Sequence, residues 1–275
     1  MPFLHVDASL CRKDGLCAKA CPANLILAGD GEVPVFVEEK KQKYCIGCGH
    51  CVAACPHNAL SLESIPPGPV EPIRRELRLT PEQVVQFLKS RRSIRRFKPV
   101  PPSRDTLETL LDAARYAPSG HNAQPVKWIM VAAPERVAEI TRLMVDSMSV
   151  LIKSDPVVAK KFFLAGIVKA YRAGRDLVCR NAPCLAIVVT SGHAVTAQTD
   201  ALAAAEYLDL AAHGLGVGAC WAGYVALACK EYEPLREALE LTPDDTVHAG
   251  LMLGYPEERY FAIPPRKSVK VTWVE

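Results

Sequence analysis

A short apolar, β-branched run marks Val33–Val37 as a strand after the Gly29-Asp30-Gly31 turn, and Ala59–Glu63 reads as a second, closing strand. Further along, the pattern turns helical. Thr80 stands where a helix N-cap belongs, Pro81 at the first helical position and Gln83 at the reciprocal place of a capping box. Val84, Val85 and Leu88 give that helix an apolar face, and the pattern predicts that it runs on into Arg91–Phe97. A second helix is expected from Ser103, with Leu107, Leu110, Leu111 and Ala114 on one side. Trp128–Ala133, Leu185–Thr190 and Val247–Leu253 read as strands, and Glu135 to Met148 and Thr199–His213 as helices. Pro264–Trp273 reads as an irregular tail leading into a strand. Helices and strands intersperse without a βαβ repeat, which predicts an α+β fold.

Between the two kinds of pattern lies Ile65–Ile73, with four prolines and one glycine in nine residues. Such a stretch suits neither a helix interior nor a central strand. It divides the chain into a small domain over 1–64, a stiff linker over 65–73 and a larger domain over 74–275.

Composition adds limits. The 275 residues are 49% apolar and 23% charged, enough for one small and one medium core. A net charge of +3 is too small to argue for nucleic acid or an anionic membrane as partner. The longest apolar stretch, Ala201–Cys229, is broken by Glu206, Asp209 and His213 and reads as buried helix and loop, not a membrane span. The chain opens without a secretory pattern, so the expected location is the cytoplasm. Charge is uneven: Arg74–Arg104 holds ten Lys/Arg against two acidic residues, an excess that suits a bound anion.

Seven of the eleven cysteines lie between Cys11 and Cys55. The second run is Cys45-x2-Cys48-x2-Cys51-x3-Cys55-Pro56, the spacing of bacterial ferredoxins. Three close thiolates embrace one cubane and the fourth reaches another. Gly47 and Gly49 let the backbone turn tightly, and Pro56 stops the local helix. The first run, Cys11-x5-Cys17-x3-Cys21-Pro22, keeps the spacing with Asp14 in place of the second cysteine. A zinc reading needs four ligands at one ion and has no use for the Cys-Pro signature twice.

The two runs together resemble a two-cluster ferredoxin over about residues 5–63. The resemblance implies crossed ligation: Cys45, Cys48, Cys51 and Cys21 for a [4Fe-4S] cluster, and Cys11, Cys17 and Cys55 for the other, with Asp14 at its fourth corner. A carboxylate is a harder ligand than thiolate, so the second site holds either a four-iron cluster with an oxygen ligand or a three-iron cluster.

In the larger domain, Arg91-Arg92-Ser93-x-Arg95 sets guanidinium groups beside a hydroxyl, a combination suited to phosphate. Pro118-Ser119-Gly120-His121-Asn122-Ala123-Gln124-Pro125 spaces amides and a hydroxyl along a rigid loop, suited to the edge of a flat heterocycle. Arg266 and Lys267 add cations near the end. Gly214, Gly216 and Gly218 follow a helix, not a strand, and so read as a helix stop and a tight turn, not a dinucleotide loop.

With Gly214–Trp221 and Leu253–Pro256, these segments resemble the nitroreductase family of FMN enzymes over about residues 80–270. The resemblance implies that Arg91, Ser93, Arg266 and Lys267 hold the FMN phosphate and ribityl chain, with Arg92 a weaker candidate. It places Arg95 at the N1/O2 edge and Pro118, Ser119, Gly120, Asn122 and Gln124 along the ring or ribityl side. Backbone groups of Trp221, Ala222 and Gly223 face the ring near N5. It also implies an intertwined homodimer.

No side chain is singled out as a catalytic acid or base; His121 is as well suited to packing as to touching substrate. The expected activity is an iron–sulfur flavoprotein oxidoreductase. It passes electrons between clusters and FMN and reduces a small conjugated acceptor of nitroaromatic, quinone or enone type. The expected electron donor is a one-electron partner such as a free ferredoxin or another iron–sulfur protein. The alternatives are an NAD(P)H-dependent reductase sending electrons outward, a non-enzymatic carrier or redox sensor, and flavin-consuming chemistry.

Overall fold

A computed structural model describes residues 4–65, 68–192, 195–230 and 232–275. The chain folds as two units, Met1–Arg78 with Gly120–Ala123, and Leu79–Ser119 with Gln124–Glu275. Two prolines of the expected linker, Pro66 and Pro67, lie outside the described residues, as do Met1–Phe3 of the expected small domain.

The first unit is built twice from one plan. Its elements are β1 (Leu4–Val6), α1 (Leu16–Ala20), β2 (Ile26–Leu27), β3 (Val35–Phe36), a 3-10 turn (Glu39–Tyr44), α2 (His50–Ala53) and β4 (Leu60–Leu62). β1 pairs antiparallel with β4, Leu4 opposite Leu62, and β2 pairs with β3, Ile26 opposite Phe36. Both strands expected here form, shortened to Val35–Phe36 and Leu60–Leu62. Cys11, Gly15, Cys17, Cys21 and Asn24 match Cys45, Gly49, Cys51, Cys55 and Asn58 at one constant offset. The backbones match too. Gly15 (φ 67°) and Gly49 (φ 72°) open α1 and α2 in the left-handed region, and Asn24 (φ 52°) and Asn58 (φ 51°) follow the two Cys-Pro steps there. Two cysteines, Cys17 and Cys51, are part of the small buried core with Leu4, Ile26, Val52, Ala59, Leu60 and Leu62.

The second unit is a four-stranded antiparallel sheet with helices on both faces. In chain order it comprises α3 (Pro81–Ser90), α4 (Arg104–Ala114), β5 (Val126–Val131), α5 (Pro134–Ser154), α6 (Pro156–Lys161), α7 (Leu164–Arg172), β6 (Cys184–Ser191), α8 (Ala197–Gly214), β7 (Gly218–Trp221), α9 (Tyr224–Ala228), α10 (Glu233–Ala238) and β8 (Asp245–Gly254). The strand order is β5-β6-β8-β7, all neighbours antiparallel. Leu185, Ile187, Val189 and Met252 face one core with α5 and α7; Cys184, Ala186, Val188, Leu251 and Leu253 face another with α4 and α8. Alternate residues of one strand thus feed opposite cores, the α+β arrangement anticipated from the sequence.

α3 begins as its capping box dictates, Thr80 accepting from Gln83 N at 3.2 Å and Gln83 Oε1 accepting from Thr80 N at 2.8 Å. It does not run on to Phe97. It ends at Ser90, and Arg91 turns extended (φ −56°, ψ 133°). The expected apolar face of α3 stays uncovered, with Val85 and Leu88 about half exposed in the single chain. No strand forms at the C-terminal end: past the Pro256 bridge, residues 257–275 are irregular and exposed. Gly214 ends α8 and Gly216 (φ 71°) turns the chain into β7, as a helix stop and tight turn require. No helix among the described residues is long and apolar enough to cross a membrane.

Candidate functional site

In the first unit the cysteines of the two runs influence one another in two sets, Cys11, Cys17 and Cys55 in one and Cys21, Cys45 and Cys51 in the other. Burial pushes the Cys17 thiol up, and Cys11 and Cys55 press the same way from nearby. Burial drives Cys51 up to about 11, with Cys21 and Cys45 adding to it. So the first run's last cysteine sits with the second run, and the second run's last with the first. Backbone N–H groups donate to three of the sulfurs: Lys13 to Cys11 at 3.4 Å, Leu25 to Cys21 at 3.3 Å and Ala59 to Cys55 at 3.4 Å. Such donors stabilise thiolates that carry a cluster's negative charge and tune its potential. Among the described residues no three His, Cys, Asp or Glu side chains converge as a single metal ion needs. Seven thiols in two runs exceed the four ligands that one tetrahedral ion takes. Asp14 is exposed, and its Oδ1 accepts from Leu16 N at 3.1 Å.

In the second unit, the strip after α3 is held in place by long-range contacts. Ser93 forms a parallel bridge to Ala219 in β7, and Ile94 N donates to Ala219 O at 2.9 Å. Gly218 must be glycine, because a Cβ there would meet Ile94 at 2.8 Å. Lys98 N donates to Tyr255 O at 2.8 Å and Glu257 N to Arg96 O at 3.2 Å, pinning the far end. Two segments far apart in sequence, Arg91–Arg95 and Gly218–Trp221, therefore run side by side. Cys220, whose thiol burial pushes up, feels the opposing pull of Arg95, Arg180 and Arg91.

Individual side chains are less uniform. Arg91 Nη1 donates to Asp209 Oδ2 at 3.2 Å; burial raises that carboxyl's pKa, while Arg91, Trp221 and His213 oppose the rise. One helical turn on, His213 Nε2 lies 3.0 Å from Ser90 Oγ. Ser90 Oγ also donates to Phe87 O at 3.1 Å. Burial lowers the pKa of His213. Arg92 lies 6.0 Å over the Tyr260 ring, Arg95 is exposed, and Arg96 pairs with Glu257 at 3.3 Å.

The loop at Pro118–Pro125 is tightly wound, with His121, Asn122 and Gln124 all in the left-handed region (φ 52°, 54° and 46°). Ser119 Oγ accepts from Gln124 N at 3.0 Å. Pro118, Ser119 and Gln124 line a cavity with Leu111, Trp128 and Asp200. Gly120 and Asn122 lie in the short segment 120–123 that groups with the first unit. There the Asn122 amide donates to Ile46 O at 3.2 Å and Gly47 O at 3.1 Å. Ala222 N donates to Gly250 O at 2.7 Å, so that N–H is taken; Gly223 is exposed with open space where a side chain would stand. Arg266 and Lys267 lie in the irregular, exposed tail. Cys179, Cys184 and Cys229 are pushed up to about 12 by burial and serve as core residues.

A repeat of cysteine runs in one unit and a cationic strip along a sandwiched sheet in the other define a cofactor-dependent redox protein. The chain belongs to the nitroreductase family, whose description matches residues 88–255, and a 4Fe-4S dicluster domain matches residues 3–59. It is an oxidoreductase. Among solved structures it is similar to a nitroreductase with bound FMN from Bacteroides fragilis NCTC 9343. That match has 25% identity and a TM-score of 0.58 and covers 70% of this chain and 99% of that one. A nitroreductase with bound FMN from Desulfitobacterium hafniense DCB-2 is similar at 25% identity and a TM-score of 0.55, covering 70% and 97%. The electron transport protein HydN of Escherichia coli K12 is 37% identical over 71 residues, 22% of this chain and 38% of HydN.

Proposed function

We propose that this chain is an iron–sulfur flavoprotein that passes electrons between two ferredoxin-type clusters and FMN, and reduces a small conjugated acceptor of nitroaromatic, quinone or enone type. The observation that carries the flavin part is the clamped strip. Arg91, Ser93 and Arg95 are fixed alongside β7, whose end leads to the open Gly223. Arg91 and Ser93 hold the phosphate and ribityl chain, and Arg266 and Lys267 complete that anion site. Arg95 serves the N1/O2 edge, where a cation steadies negative charge on the ring. Pro118, Ser119 and Gln124 border the ring side, and Gly223 replaces Ala222 as the N–H donor near N5. Arg92, over Tyr260, helps to hold the tail. When bound, FMN supplies a ring that takes up electrons singly and gives them up in pairs.

Cys45, Cys48, Cys51 and Cys21 hold one [4Fe-4S] cluster, and Cys11, Cys17 and Cys55 the other, as [4Fe-4S] or [3Fe-4S]. Asp14 still has a second oxygen for iron beyond the one Leu16 uses. The presence of clusters favours a one-electron donor such as a ferredoxin. A homodimer accounts for the uncovered face of α3 and for a tail whose Phe261 and Trp273 are 87% and 81% exposed.

The test is anaerobic purification with iron, sulfide and FMN counts, followed by stopped-flow reduction. Bound FMN, two cluster signals and fast reduction by reduced ferredoxin are expected. Rapid bleaching by NAD(P)H alone would reverse the proposed direction. Colourless protein would end the whole reading.

A further inference from the structure

The two cysteine runs share one backbone plan, yet their first turns are held differently. In the second run, Ile46 and Gly47 lie between Cys45 and Cys48, and both of their carbonyls accept from the Asn122 amide, at 3.2 and 3.1 Å. The matching carbonyls of the first run belong to Arg12 and Lys13. Among the described residues nothing donates to either, and both residues are exposed. The donor is itself held in an unusual backbone, since Asn122 has φ 54° within the turn Gly120–Asn122. Ala123 N closes that turn on Gly120 O at 3.0 Å.

We infer that Asn122 is a positioning residue for the Cys45–Cys48 turn and so for one cluster only. This rests on the reading that this turn ligates a cluster. Each carbonyl it grips belongs to a peptide whose N–H is that of Gly47 or Cys48. Donation to the carbonyl oxygen polarises the peptide and strengthens its N–H as a donor. N–H groups beside a cluster favour its reduced, more negative state, so the Asn122 amide raises that cluster's potential and slows its loss. The first run, ungripped and carrying Asp14, is left as the looser site.

The experiment uses the full-length protein, purified without oxygen, in two variants. Asn122→Gly deletes the amide and relieves the left-handed backbone, so it does not burden folding. Asn122→Asp keeps the shape but turns a carboxylate oxygen towards the two carbonyls. Redox titration followed by electron paramagnetic resonance reads both clusters, and Asp14→Cys assigns them, because it alters the signal of the other one. The signal untouched by Asp14→Cys is expected to shift to lower potential in Asn122→Gly and further in Asn122→Asp. Its iron is also expected to leave for a chelator roughly tenfold faster or more. The inference is overturned if that cluster keeps its potential and release rate in both variants, or if both clusters shift alike. If the wild-type protein carries no iron and sulfide, the cluster reading itself has failed.

Discussion

Both units contain cysteine, and they use it in opposite ways. In the second, Cys179, Cys184 and Cys229 are small apolar residues inside extensive cores, their thiols driven up to about 12 by burial. In the first, Cys17 and Cys51 belong to a buried core of eight residues among those described, and Cys11, Cys21 and Cys55 pack against it. A core that small supplies little stability of its own, so the sulfurs must bind something that holds the fold. The second unit rests on a sheet covered on both faces. The contrast teaches where each unit's stability resides: in bound inorganic groups in one, in packed side chains in the other.

The largest effect that follows is on the first unit. Stripping iron with a chelator is expected to abolish hydrogen-exchange protection over residues 4–65 while residues 184–254 stay protected. Equal loss in both would break the comparison. Next, Leu251→Ala, at a fully buried site of β8, should cost about 3 kcal/mol in denaturant unfolding of the second unit. Cluster content should not change.

A smaller effect, about 2 kcal/mol, is expected of Asp245→Asn. Burial alone would raise that carboxyl's pKa. Lys127 Nζ at 2.7 Å, Ser191 Oγ at 2.6 Å and Thr242 N at 2.8 Å outweigh it and hold the group well below its ordinary 3.8. A depressed pKa stabilises the fold above the ordinary value and loses that contribution as acid protonates the native carboxylate. The gap between wild type and Asp245→Asn should therefore be full at neutral pH and narrow only in strong acid, as pH-dependent unfolding would read. Smallest, Thr80→Ala should remove about 1 kcal/mol through the lost cap of α3.

What could be read in advance was local. The capping box of α3, the Ser103 start of α4 and the spacing of the cysteine runs each depend on residues a few positions apart, and each formed. Arg91–Phe97 reads as helix yet stands extended, because its partners, Ala219 and Tyr255–Glu257, lie more than a hundred residues away. Its own sequence carries helical periodicity, and only pairing along β7 pulls it straight. The break between α6 and α7, where Phe163 takes φ 55°, has no glycine to announce it. Asn122 shows the same limit at the site. Its motif pointed to a flavin, but the two carbonyls it grips belong to residues whose side chains carry no signal for it.

The strand order has a consequence for synthesis. β8, the last strand among the described residues, inserts between β6 and β7. Until Gly254 has left the ribosome, β6 and β7 have no shared neighbour and the central sheet cannot close. The Cys11–Cys55 segment emerges about two hundred residues earlier and gains its pairing of β1 with β4 almost at once. Iron loading and sheet closure are thereby separated in time, and a ribosome stalled near residue 240 would present a segment ready for metal beside an oxidoreductase unit with bare strand edges.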